Sequence, residues 1–269
     1  MSVVSPDGST SGSGGLLIVN ADDWGGFREG TDAIETCFAA GAISSSTAMV
    51  NMADSRRAAE IALDRARPIG LHLNLTQPFD GPDVPPAVRE RQRRLCGHFQ
   101  RLGPRRWILS PDPRVHALVA DAIRDQLEQF VELYKREPTH IDSHHHVHVC
   151  PDVFLSRALT RGLRVRQTLS PPPSARRDPR TVARELKHRA LARRFVTTDR
   201  LWVARELSPA GGGVPIVIAV ASARAQSVEI MTHPSFEGEL WVLRSEAWQR
   251  ALADAHLGSY SKLPSGPGG

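Results

Sequence analysis

Short apolar runs that end in polar residues alternate along this chain with segments of helical spacing. Residues 16–20 (LLIVN) are a continuous apolar run closed by an asparagine, the pattern of a strand buried on both faces. Residues 28–40 place Ile34, Cys37 and Phe38 on one helical face, and Gly41 is positioned to end that helix. Residues 45–50 (SSTAMV) predict a second strand, 55–65 a second helix and 69–75 (IGLHLNL) a third strand. The order β-α-β-α-β predicts a parallel sheet covered by helices. Helical spacing returns over 113–136, with Val119, Ile123, Leu127, Phe130, Val131 and Tyr134. A short strand follows at 139–142, then a helix over 151–162, with proline in its first turn and glycine past its end. Strands are predicted at 163–167, 214–220 and 228–232, and a last helix at about 245–255.

The rhythm breaks twice. Residues 77–112 hold Pro78, Pro82, Pro85, Pro86 and Pro104 around a basic, tryptophan-containing stretch, and residues 168–200 open on the triple proline 171–173. Both read as insertions, and a long loop in a compact domain is generally a lid or binding element. The expectation is a single (β/α) barrel-like domain over 15–262, with flexible tails at 1–14 and 263–269. A doubly wound open sheet is the alternative, because chain order does not show whether the sheet closes. There is no internal repeat.

Composition narrows the function classes. Of 269 residues, 41% are hydrophobic, enough for a substantial core, yet no run approaches the ~18 apolar residues of a membrane span. The opening MSVVSPDGSTSGSGG lacks the basic and apolar regions of a secretory signal, so cytoplasmic residence is the default expectation. Three cysteines, Cys37, Cys96 and Cys150, without metal-finger spacing argue against a disulfide scaffold. The net charge of +5 comes from arginines dispersed in runs such as RERQRR (89–94), SARRDPR (174–180) and HRALARR (188–194). No nucleic-acid motif accompanies them, so neither nucleic acid nor membrane is an expected partner.

Four polar clusters stand at the C-terminal ends of predicted strands, where α/β folds carry their chemistry. The first is Asn20-Ala21-Asp22-Asp23. Adjacent carboxylates can divide two tasks, one binding a cation and the other taking a proton, although either alone reads as well as a helix cap. The second is His72, which alternates with Leu71 and Leu73 and alone reads as a hydrogen-bonded core histidine. The third is the stretch from His140 to His148 (HIDSHHHVH), with five of the chain's eleven histidines in nine residues. Packing does not call for such a cluster, whereas a metal site does, though the cluster does not say which histidine ligates. The fourth is the stretch 229–234 (EIMTHP), whose His233 reads as a ligand, an acid or a satisfied loop residue. Together they supply an aspartate, two or more histidines and a spare carboxylate, the composition of a catalytic metal site with open positions. Serine-nucleophile and dinucleotide chemistry lack support: there is no GxSxG, and GGFREG (25–30) is not GxGxxG.

In NADDWG (20–25), AISSSTAMVN (42–51), GLHLNLT (70–76), PTHIDSHHHVH (138–148) and EIMTHP (229–234) the chain resembles the YdjC/ChbG-like carbohydrate deacetylases, in the family's order and over most of its length. The resemblance implies a barrel-like fold of the glycoside hydrolase/deacetylase type, often homodimeric. It implies an acetylated carbohydrate as substrate and one divalent cation, Mg²⁺ or Zn²⁺. Carried over by position, it implies Asp23, His72 and His144 as metal ligands, Asp22 as general base and His233 as general acid. Asn20, Asp142, His146, Arg164 and Arg166 become supporting or substrate-contacting residues. The chain departs from the family pattern at Trp24, Thr31 and Ser235, none of them a ligand. Two other readings stand beside this one. The first is a metal-dependent hydrolase of another amide or a phosphoester. The second is a non-catalytic metal-binding protein, which the spare carboxylate of Asp22 disfavours.

Overall fold

The computed structural model describes residues 15–103, 110, 112–173, 178–207 and 213–263. The tail expected at 1–14, and all but the first residue of that expected at 263–269, lie outside the described residues. Six strands, β1 (Leu16–Trp24), β2 (Ser45–Ala48), β3 (Ile69–Leu73), β4 (Ile141–Ser143), β5 (Arg200–Trp202) and β6 (Ser227–Thr232), form one parallel sheet in the order β4-β3-β2-β1-β6-β5. Beyond β4 the pairing continues by single parallel bridges, Ile141 to Val165 and Arg164 to Val196, toward the chain that enters β5. Travelling around this curl, the strands follow one another in chain order. That is the winding of a barrel; an open doubly wound sheet reverses direction at a switch point. The sheet is therefore curled and barrel-like, as expected.

The described helices are α1 (Arg28–Ala39), α2 (Ser55–Asp64), α3 (Pro86–Leu102), α4 (Pro113–Tyr134), α5 (Pro151–Phe154), α6 (Pro179–Ala192), α7 (Ile216–Ser222), α8 (Glu237–Leu243) and α9 (Glu246–Leu252). Helix α1 buries Ile34, Cys37 and Phe38 and stops at Gly41, whose φ of +65° is the left-handed conformation a helix end requires. Trp24, at the end of β1, is fully buried, stands edge-on to Phe38 with ring centres 6.1 Å apart, and donates its indole N–H to the Ala58 carbonyl. It thereby ties the first strand to α1 and α2. One continuous apolar cluster runs from Leu17 through the strands to Trp248 and Leu252.

Several local expectations are corrected. Of the strand expected at 214–220, only Val214 forms a bridge and residues from Ile216 onward belong to helix α7, because a short apolar run does not distinguish strand from buried helix. The carboxylate of Glu206 settles it from a distance by accepting from the Ile216 N–H at the helix start. The segment 163–167 contributes single bridges rather than a strand, and the helix expected over 151–162 stops at Phe154. Neither insertion is an unstructured loop. The first holds α3, whose buried Gln92, Leu95, Cys96 and Phe99 keep helical spacing beneath exposed arginines; the second holds α6 and leads into β5.

Two arginine-paired carboxylates on this scaffold predict the acid limb of stability. Glu35 is held by Arg65 and Arg67, and Asp54 by a two-pronged contact with Arg57 at 2.8 and 2.7 Å. Burial pushes both carboxyls up, but the arginines outweigh it and hold them below their ordinary values. A carboxyl lowered in the folded state adds stability above its unfolded pKa, and loses it as the pH falls through the folded one. The melting temperature should therefore be flat in this respect near neutrality and decline below about pH 4. The double variant Glu35→Gln/Asp54→Asn should decline less steeply over that window, each pair contributing about 0.5–1 kcal/mol. Identical acid limbs in thermal melts of the two proteins would exclude this account.

Candidate metal centre

At the C-terminal end of β1 the side chains of an ideal strand would alternate, sending Asp22 and Asp23 to opposite faces. The pairing of β1 with β2 is irregular between Ala21 and Trp24, and Asp23 adopts a left-handed conformation with φ of +70°. That break lets both carboxylates serve one site. Across from them, His145 and His146 are also left-handed, with φ of +56° and +54°, so the turn that follows β4 (144–149) is not a regular helix. These turns sort the histidines. His144 Nδ1 lies 3.2 Å from Asp23 Oδ1, and His145 meets Thr76 Oγ1. His148 is buried against Ser143 Oγ, and His140 stacks on Tyr260 with ring centres 3.8 Å apart. Burial, with the Arg166 charge behind it, pushes His146 down to about 4, so it is neutral near neutral pH.

His72, from the buried strand β3, completes the group: its Nε2 is 3.2 Å from Asp23 Oδ1. Its other nitrogen, Nδ1, lies 2.7 Å from Asp142 Oδ1 on β4. Thr47 on β2 donates to Asp142 Oδ2, and Asn20 donates to Thr47 and to Asp22. A carboxylate behind a histidine that faces another ligand is the arrangement that orients metal-bound imidazoles. Asp23, His72 and His144 offer three ligand atoms within 4.8 Å of one another. A second grouping, Asp22, His72 and Asp142, meets the same distance. There, however, both Asp22 oxygens are already held by Arg166.

Arg166 lies under the site, wholly buried, and joins three strands' worth of carboxylate. Its Nη1 and Nη2 each donate at 2.7 Å to an oxygen of Asp22, Nη1 also reaches Asp142 Oδ2 at 2.6 Å, and Nε donates to Glu229 Oε1 at 2.8 Å. Tyr260 donates to the other oxygen of Glu229. Burial pushes Asp22 up, but Arg166 outweighs it and keeps the carboxyl ionised; burial likewise opposes ionisation of Asp23, and His144 and His72 overcome it. At Glu229 burial prevails and the carboxyl is raised. Three carboxylates thus share one guanidinium and Asp23 stands beside them as a fourth, and the remaining negative charge is what a cation beside Asp23 would neutralise. His72 shows the same demand: burial pushes it down, yet Asp142 and Asp23 raise it well above its ordinary value. The donor set therefore fits a divalent cation.

His233, at the end of β6, places Nε2 3.8 Å from Asp22 Oδ2, while Glu239 on α8 accepts from its backbone N–H and stands 4.0 Å from Nδ1. The structure thus brings Asn20, Asp22, Asp23, His72, Asp142, His144, Arg166 and His233 into one cluster, while the His146 ring stands edge-on to that of His148, with ring centres 6.1 Å apart. Arg164 lies apart, donating to the Leu263 carbonyl, and Arg166 is sealed among carboxylates rather than open to a ligand. Thr47, Glu229, Glu239 and Tyr260 were assigned no role from sequence. A glutamate inside the apolar stretch VEIM is a local sign from which a buried partner can be inferred, whereas Tyr260 carries no local sign of its place.

A parallel, barrel-like α/β sheet with a buried aspartate–histidine group at its strand ends defines the class of this protein. The YdjC-like protein family profile matches residues 16–254, and the chain belongs to that family. It is 38% identical over 143 residues to chitooligosaccharide deacetylases of Yersinia pestis (strain Pestoides F) and Yersinia pseudotuberculosis serotype O:1b, covering 52% of this chain and 53% of each relative. The chain thus matches about half the length of these curated relatives. The fold is shared with a crystal structure from Enterococcus faecalis V583 provisionally assigned to cellobiose-phosphate cleavage. The TM-score is 0.65 at 20% identity, over 92% of this chain and 98% of that one. Among the described residues no helix is long and apolar enough to cross a membrane.

Proposed function

We propose that this protein is a metal-dependent hydrolase that removes the acetyl group from an N-acetylated sugar. One observation carries the reading: a three-ligand group, Asp23, His72 and His144, stands beside a second carboxylate, Asp22, that is ionised and fixed by Arg166. Asp23, His72 and His144 would hold a Mg²⁺ or Zn²⁺ ion, which would supply the Lewis acidity that a base as weak as an arginine-paired carboxylate requires. Mg²⁺ prefers oxygen ligands, and the two imidazoles favour Zn²⁺ by ligand type. Asp22 takes the proton from the attacking water as its oxygen adds to the acetyl carbon. His233, steadied by Glu239, gives a proton to the sugar nitrogen as the C–N bond breaks, releasing acetate and the free amine. Asp142 and Thr47 hold His72 in the tautomer that turns Nε2 to the ligand group, and Asn20 holds Asp22 and Thr47 in register. The family and the names of the Yersinia relatives support the sugar; the family resemblance alone supports a homodimer, and composition alone a cytoplasmic setting.

Purified protein loaded with Mg²⁺ or Zn²⁺ should release acetate from N-acetylglucosamine oligomers, and chelation should abolish the release until metal is restored. No acetate from a broad panel of N-acetylated sugars, with metal bound, would exclude this substrate class and favour another amide or ester.

A further inference from the structure

The basic run RERQRR was left unexplained by the metal centre, and the structure separates its members. Arg89 donates to the carbonyls of Phe79, Gly81 and Val84, holding the start of α3 to the preceding loop. Arg91 pairs with Asp125 on α4, and Arg93 with Glu90. Arg94 has no partner among the described residues. It lines a cavity of about 320 Å³ between α3 and the start of α4, together with Arg93, His98, Arg101 and Arg114. The guanidinium groups of Arg101 and Arg114 are likewise without a partner among the described residues. The Nε2 atom of His98 is shielded from solvent and has no hydrogen-bond partner among the described residues.

Three solvent-exposed guanidinium groups without a partner among the described residues line this one cavity and concentrate positive charge there. Asp112 also lines the cavity, but it serves as the N-cap of α4 and accepts from the Arg114 N–H. The 22-residue helix α4 begins here, so its positive end adds to the same field. The cavity shares no residue with the metal centre. It lies at the same end of the sheet, because Ser110 and His116, beside the start of α4, both bind Asp152 on α5, just beyond the His144–Val149 turn.

We propose that this cavity is a binding site for a phosphate-class oxyanion, free or carried on a larger ligand. Planar guanidinium groups suit such an anion because each presents two parallel N–H donors to its oxygens. Occupancy ties α3 to the start of α4, and through Asp152 braces the segment that presents His144. The proposal does not depend on the reaction carried out at the metal centre.

The test is calorimetric titration of the full-length, metal-loaded protein with inorganic phosphate, at constant ionic strength with chloride as reference. Saturable binding is expected, weakened about tenfold or more in Arg94→Gln/Arg101→Gln. It should be unchanged in Arg250→Gln, an exposed arginine paired with Glu246 on α9. Circular dichroism confirms that the variants are folded. Absence of saturable binding up to about 10 mM phosphate overturns the proposal. So does undiminished binding in the double variant, which would place the anion at the metal centre instead. A phosphomonoester such as glycerol 3-phosphate, titrated in parallel, separates two supporting results. Tighter binding of the ester assigns the site to a ligand-borne phosphoryl group, and equal or weaker binding to the free ion.

Discussion

Arg166→Met is expected to destabilise the fold by about 3–5 kcal/mol, the largest stability effect of any single substitution near the site. The side chain is fully buried and bonded to Asp22, Asp142 and Glu229, which are themselves 3% exposed or less. Methionine fills similar volume but leaves three buried carboxylates without their cation. Glu229, already raised by burial, would take up a proton first; Asp22 and Asp142 would follow or draw water into the barrel. For a chain of this size the loss corresponds to a fall of about 10 °C in melting temperature. Arg166→Lys should recover only part, since an ammonium cannot grip Asp22 in two-pronged fashion. Urea unfolding of the three proteins decides the matter. A loss below about 1 kcal/mol in Arg166→Met would mean that the carboxylates are neutral in the parent, and the charge argument for a cation would fall with it.

Asp22→Asn is expected to lower turnover by about two to four orders of magnitude while metal stays bound. The amide keeps the shape and one acceptor for Arg166, but it takes no proton from water and turns an N–H₂ group toward a guanidinium. Some stability is therefore lost as well, so metal content and melting temperature are measured beside the acetate-release rate. Retained metal with collapsed turnover supports the proposed base. Parallel loss of metal and activity would move Asp22 into the ligand set, consistent with the alternative grouping of Asp22, His72 and Asp142. In that event the division of labour between the two adjacent aspartates would have to be redrawn.

Where sequence reading succeeded, the information was local. Residues 16–20 and 69–73 are strands because largely apolar runs suit a sheet buried on both faces, while 45–48 (SSTA) is a strand whose small hydroxyl side chains are buried as well. Where it failed, short-range pattern met a long-range constraint. Residues 214–220 carry more β-branched character than β1, yet a glutamate ten residues before Ile216 accepts its N–H at the start of a helix. In α3 the arginines on exposed faces hid a regular apolar stripe, and prolines at 82, 85 and 86 suggested a loop where one of them begins the helix.

By itself the sequence determined that strands and helices alternate, that polar clusters stand at strand ends, and that the histidine-rich segment calls for something other than packing. Those are consequences of residue type and spacing, which act over a few residues. Only the tertiary structure decided which histidine faces Asp23: His144 lies 121 residues further along the chain and is presented by two consecutive left-handed residues that no local pattern foretold. It likewise decided that Arg166 is an internal counter-ion rather than a substrate contact, because a guanidinium's role depends on where carboxylates from β1, β4 and β6 converge. Charge acts through space, and the curl of the sheet, not proximity in sequence, sets those distances.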